Sequence, residues 1–273
     1  MKRHLRNVTW ILWTATAAAG AQEVPSDRVS VAFSDPTRPG TLRASLISGG
    51  ITVKGYAGKE VVVEARARAG KRGPDTRADG LKRITNVATG LTVEEDANVM
   101  KVGAASHSRT IDLVIQVPLK TSLVLKCVNG GDIKVEQVEG DLEVSNTNGA
   151  VTLTSISGSA IAHALNENVV VTFVKVQPGK AMSFSSLNGD VDVTFPPDLK
   201  ANLALKSDQG EIYSDFEIGP DPAARKPVVE DGRGKGGGYR VKIDKTFYGS
   251  VNGGGPEMSF KTFNGDIFIR KAK

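Results

Sequence analysis

Short runs in which apolar and polar residues alternate recur along the chain, and each ends at an Asn-Gly pair or a close equivalent. LEVSNTNGAVTL (142–153) is the clearest: Leu142 and Val144 precede Asn148-Gly149, and Val151 and Leu153 follow it. Alternation with period two places such residues on one side of a β-strand, and a single copy would predict a hairpin. The frame repeats as LKCVNGGDIKV, MSFSSLNGDVDV, LALKSDQGEIY and MSFKTFNGDIFI. The turn glycines are Gly49, Gly130, Gly149, Gly189, Gly210 and Gly265, with Glu167 in that slot of a degenerate copy. From Gly130 to Gly210 the spacings are 19, 18, 22 and 21 residues. One such coil cannot bury its apolar side alone, so a period near 20 predicts coils stacked on one another. The fold class expected is all-β: a parallel β-solenoid, β-helix-like, of about 20-residue coils.

Two polar columns follow from this alignment. The position before the glycine holds Asn129, Asn148, Asn166, Asn188, Gln209 and Asn264. Stacked at strand spacing, these amides predict a structural hydrogen-bonded ladder, and Asn and Gly both tolerate the left-handed backbone of a tight bend. The position after the glycine is often acidic, as at Asp190, Glu211 and Asp266. Successive coils would place Asp190 and Glu211 about 5 Å apart, which makes the three acids candidate metal ligands, with Ca2+ the ion they would take. Acids that cap their own turns are the simpler reading, and the glycine–aspartate nonapeptide of calcium-binding solenoids is missing. No cofactor is expected.

The period breaks twice. Residues 54–122 contain VVVEARAR, LTVEED and TIDLVIQVP, half-polar runs that predict inserted antiparallel strands. The loop 69–80 between the first two is basic and rich in Gly and Pro, hence exposed. A second excursion, 214–256, carries one or two strands and a glycine-rich return before Met258 rejoins the stack. Nothing in the chain reads as a helix.

Charge and composition change the picture at the N-terminus. Residues 1–21 have a basic start, an apolar run from Val8 to Ala19 and a small-residue exit, the pattern of a secretory signal peptide. The run is short for a membrane span, and no later segment is apolar enough, so the mature chain 22–273 is expected to be one elongated domain, exported to the periplasm or secreted. Three of the 35 basic residues and none of the 30 acidic ones lie in 1–21, so the remainder has a net charge of +2. That balance argues against a nucleic-acid partner. Trp10 and Trp13 also lie in this segment, which leaves no Trp as a sugar platform. Cys127 is alone, so no internal disulfide is possible, and its apolar neighbours predict a buried thiol.

Chemistry is sparse. Beyond the signal segment there are two His, His107 and His163, too few for a His-based metal site or triad. Gly232, Gly234 and Gly236–Gly238 lack the phosphate-loop spacing and a following helix. Asp190, Asp192 and Lys206 supply the residue types of a polysaccharide lyase groove, but only the repeat gathers them.

Through Asn148-Gly149, Asn188-Gly189-Asp190 and Asn264-Gly265-Asp266, the chain resembles the bacterial extracytoplasmic "putative adhesin" family over roughly 28–269. That resemblance implies a β-solenoid-like fold, export, and no catalytic residues to carry over. The expected function is a non-enzymatic envelope or extracellular module for binding, adhesion or scaffolding, with an unidentified surface protein or polysaccharide as ligand. The alternative is a carbohydrate-active enzyme with a groove along the coils. Arg270, Lys271 and Lys273 guard the open end against strand pairing, so a monomer is expected.

Overall fold

In the strands, the alternation of the sequence becomes an alternation of burial. From 121 to 127 every odd residue (Thr121, Leu123, Leu125, Cys127) is buried, while the even ones face outward. A computed structural model of the chain describes residues 26–68, 88–104, 109–220, 228–231, 239–242 and 245–273. The signal segment 1–21, the loop 69–80, His107 and the glycine run 232–238 lie outside the described residues.

In chain order the strands begin with β1 (Ser26–Ala32), β2 (Gly40–Ser48), β3 (Ile51–Tyr56), β4 (Glu60–Ala67), β5 (Leu91–Asp96) and β6 (Val99–Ala104). Then come β7 (Ile111–Pro118), β8 (Thr121–Asn129), β9 (Ile133–Glu136), β10 (Glu139–Asn146), β11 (Val151–Ala164) and β12 (Val169–Val176). Next are β13 (Met182–Ser185), β14 (Val191–Phe195), β15 (Ala201–Ser207), β16 (Ile212–Ser214) and β17 (Gly219–Pro220). The last are β18 (Val228–Asp231), β19 (Tyr239–Lys242), β20 (Phe247–Val251), β21 (Glu257–Thr262) and β22 (Ile267–Lys271). No described residue is helical.

Twenty of these strands form one sheet; β18 and β19 pair only with each other. One parallel series runs β6, β2, β8, β10, the second half of β11, β13, β21, β15. The other runs β7, β3, β9, the first half of β11, β12, β14, β22, β16. Strand β11 belongs to both, turning at Ser155 (φ 54) between residues paired with β9 and residues paired with β10. Five antiparallel pairings extend the series: β1–β4, β4–β7, β5–β6, β15–β20 and β17–β20. The result is an all-β chain with a large, nearly closed, barrel-like mixed sheet.

The register adds two features that the repeat does not predict. Strands from residues 54–122 belong to the same sheet as the repeats. Strands β6 and β7 pair in parallel with β2 and β3, so Leu42 lies between Met100 and Leu123, and Ile51 between Leu113 and Ile133. The last repeat is also out of chain order: β21 and β22 insert between β13/β14 and β15/β16, with Phe260 opposite both Phe184 and Leu205.

The inward residues of both series meet in one core. Phe173, Phe184, Phe195 and Phe260 pack with ring centroids 5.1–6.2 Å apart. Burying each such side chain contributes about 1.5–3 kcal/mol, so no cross-link is needed. Cys127 is buried here, and desolvation first, with the Asp112 charge second, pushes its thiol up to about 12.

Candidate interaction edge

The chain passes from the first series to the second along one edge of the sheet, and each passage repeats the same few side-chain positions. Outermost are the amides. Asn148 Nδ2 donates to Asn129 Oδ1 at 2.6 Å, Asn166 to Asn148 at 2.6 Å, Asn188 to Asn166 at 2.8 Å and Asn264 to Asn188 at 2.7 Å. All five are exposed, so the row lies on the surface. Gln209 joins through its backbone, its N–H donating to Phe263 O at 2.9 Å. None of these Asn residues has a positive φ, so a left-handed bend is not the reason for Asn here.

The glycines also have a different reason. Gly149, Gly189, Gly210 and Gly265 are not at positive φ; among the turn glycines only Gly49 (φ 135) and Gly130 (φ 82) are. A Cβ at Gly265 would stand 2.2 Å from Gly189 O, and one at Gly149 would stand 2.2 Å from Gly131 O. Close approach between neighbouring passages, not backbone freedom, selects Gly. The same contacts show that Gly131, rather than Gly130, occupies the Gly149 position, Gly130 being an extra residue.

The acidic column links the passages. Asp132 Oδ1 accepts the amide of Ala150 at 3.1 Å, Asn168 Oδ1 that of Asp190 at 2.8 Å, and Asp190 Oδ1 that of Asp266 at 2.8 Å. Asp266 Oδ1 accepts the amide of Glu211 at 2.8 Å. Asp266 therefore separates Asp190 from Glu211, which the chain order had placed side by side. Their acceptors serve neighbouring backbone, and no group of three His, Cys, Asp or Glu among the described residues is placed to hold a metal.

A polar column, buried at Asn146, Ser186 and Thr262 and half-buried at Ser207, escaped sequence reading. Three residues before the glycine stand Asn146, Ser186, Ser207 and Thr262. Thr262 Oγ1 accepts the amide of Gly265 at 3.1 Å and donates to Gly189 O at 3.0 Å. Ser186 and Ser207 repeat the arrangement with Gly189 and Gly210, at 2.9 Å each. The signal was available as Ser/Thr at a fixed offset, but the same residue types are common in any turn.

Two residues before the glycine the edge is apolar. Ile47, Val128, Leu165, Leu187 and Phe263 are 42–69% exposed. Backbone bonds set Leu187 beside Leu165 (3.2 Å) and Phe263 beside Leu187 (3.3 Å). Thr147 and Asp208 occupy this position in the two remaining passages. Thr147 stands between Val128 and Leu165, so the exposed apolar side chains form two groups, Ile47 with Val128 and Leu165 with Leu187 and Phe263. Exposed apolar groups of this kind on a polar surface make the edge a candidate interaction site. Period-two reading passes over it because these residues belong to the turn rather than to either strand.

Other reactive groups do not assemble. His163 Nδ1 lies 2.7 Å from Ser185 Oγ on the outer face. Desolvation holds His163 below its ordinary value, partly offset by the Glu143 charge. Asp192 pairs with Arg270, while Phe268 stacks on Tyr213 at 5.2 Å.

The architecture has a relative among solved structures. The chain is similar to a "putative cell adhesion protein" from Clostridium sporogenes, with a TM-score of 0.52 and 10% identity over 92% of this chain and 100% of that one. At this identity the likeness is one of fold. A "putative adhesin" from Bacteroides fragilis overlaps less closely (TM-score 0.32, 12% identity, 92% and 98% covered), as does a "putative lipid binding protein" from Parabacteroides distasonis (0.30, 11%, 91% and 97%). No protein-family model matches the sequence, and no curated protein matches it.

Proposed function

We propose that the chain is an exported, non-enzymatic binding module that lays its apolar-and-amide edge along a surface polysaccharide. In this reading residues 1–21 are the signal peptide and the two parallel series are coils of a β-solenoid. Residues 54–122 and 214–256 are then excursions from one elongated domain. The observation that carries it is that Ile47, Val128, Leu165, Leu187 and Phe263 are exposed beside the Asn129–Asn264 ladder. Each interior ladder amide uses one N–H and one lone pair on its neighbours, leaving one of each for a ligand. Exposed apolar side chains beside a row of amides suit a polymer of sugar C–H faces and hydroxyls. Among the described residues no helix is long and apolar enough to cross a membrane.

Cosedimentation with insoluble cell-wall polysaccharide tests this. The chain is expected to be retained without releasing reducing or unsaturated ends, and Leu165→Ser/Leu187→Ser to lose about tenfold in affinity. Equal retention of that variant overturns the use of the edge. Release of ends, abolished by Asp190→Ala with folding intact, makes the chain an enzyme instead. Binding to an envelope protein but to no polysaccharide replaces the ligand class.

A further inference from the structure

At the end of β2 opposite Ile47, the loop 33–40 is held by polar groups whose arrangement the edge does not explain. Asn98 is buried, and its amide is directed wholly at that loop. Its Oδ1 accepts the amide of Asp35 at 2.6 Å, while its Nδ2 donates to Asp35 O at 2.8 Å and Arg38 O at 3.4 Å. Glu95 accepts the amide and hydroxyl of Ser34 and the amide of Asn98. Asn98 reaches this position from the β5–β6 turn, where Ala97 (φ 50) and Asn98 (φ 64) are both left-handed. For Ala that conformation costs about 1–2 kcal/mol. A strained turn and a satisfied buried amide together hold a surface loop rigid, the kind of arrangement retained at binding sites.

The rigid loop forms one wall of a cavity of about 140 Å³. Phe33 and Pro118 give it apolar walls, and Arg38, Lys59 and Lys120 bring three positive charges to it, with no acid in the lining. Asp35 lies behind the loop with its carboxylate engaged: Oδ1 accepts the amide and hydroxyl of Thr37, and Oδ2 takes Arg38 Nε at 2.9 Å. It therefore offsets the Arg38 charge alone and fixes the direction of that guanidinium. Lys59 and Lys120 are exposed and make no ion pair among the described residues.

We propose that this cavity is a binding site for a compact oxyanion, the carboxylate of an acidic sugar or a phosphate group. Two ammonium groups and a guanidinium suit a group with two or three acceptor oxygens. The volume is well below the roughly 300–1,000 Å³ of pockets that enclose a larger organic ligand. Preorganisation by Asn98 and Glu95 removes the ordering cost that a mobile loop would bring to binding. The site stands independently of the polysaccharide edge.

Amide-resolved NMR titration of the full chain with inorganic phosphate, glucuronate and neutral glucose tests it. Phosphate, glucuronate or both are expected to shift the amides of 33–40, 58–59 and 119–121 saturably, and glucose to leave them in place. Saturation by one anion alone supports the site and names the source. Lys59→Gln and Lys120→Gln should each weaken binding about tenfold, while Lys175→Gln on β12 should not. The proposal is overturned if no anion shifts these amides, or if the shifts never saturate and spread over lysines elsewhere. It also fails if the double variant Lys59→Gln/Lys120→Gln titrates like the parent.

Discussion

Asp190 Oδ1 accepts the backbone amide of Asp266, 76 residues later in the chain, at 2.8 Å. Asp266 repeats the bond to Glu211 at the same length, so two side chains in succession join three passages in an order the sequence does not give. Asp266→Ala strands the Glu211 amide and should cost about 1–2 kcal/mol. Asp266→Asn, which keeps an acceptor, should cost under about 0.5 kcal/mol. Urea denaturation of the two variants checks the difference.

The glycine at 265 is selected by contact. Gly265→Ala drives a Cβ to 2.2 Å from Gly189 O, backbone that cannot rotate away. It is expected to cost upward of about 3 kcal/mol. At Gly253 a Cβ meets nothing within 4 Å but the backbone is left-handed at φ +85, so Gly253→Ala should cost about 1–2 kcal/mol. Thermal melts that rank the two in the other order would contradict the contact account.

Burial separates the two polar columns. The Asn188 amide is exposed and its neighbours can turn to water, so Asn188→Leu should cost about 0.5–1 kcal/mol. Thr262 is fully buried, and Thr262→Val leaves the Gly265 amide and Gly189 carbonyl without their hydroxyl. About 1–3 kcal/mol is expected there. Equal costs would show that exposure does not decide the matter.

His163 is held below its ordinary 6.5 by burial, the Glu143 charge opposing. A depressed folded value means that the unfolded chain takes up the proton first on acidification. The contribution of His163 is thus present above pH 6.5 and is lost as pH falls towards the folded value. Stability measured in urea should drop less between about pH 7.5 and 5.5 for His163→Gln than for the parent chain.

With its thiol pushed up to about 12 and its side chain buried, Cys127 should resist thiol reagents at about pH 8 and react only at the rate of unfolding. Labelling in increasing urea that precedes loss of the folded signal would mean that β8 opens locally.

Particular residues show how far the sequence can be read. Leu142, Val144, Val151 and Leu153 announce two strands and an inner face, because burial with period two follows from the pleat of each strand alone. The Asn column is visible as a repeated offset, but its hydrogen bonds and its exposure depend on which passage lies beside which. The exposed apolar residues from Ile47 to Phe263 and the polar column from Asn146 to Thr262 carry no periodic signature of their own. Each residue looks like ordinary turn composition until the passages are aligned.

By itself the sequence determined an all-β chain, the identity of the inward residues and the places where the chain turns, since each rests on contacts within a dozen residues. Only the tertiary structure decided that β2 and β3 sit inside the first excursion, that β21 and β22 divide the last two passages, and that the sheet closes as a mixed one. Parallel pairing between distant strands is chosen by which edges are left open after the local strands form. Strands as alike as MSFS and EMSFKT give no local reason to prefer one neighbour over another. The LEVSNTNGAVTL repeat supplies the edge, and long-range pairing brings its amides into one row and its exposed apolar residues into two groups.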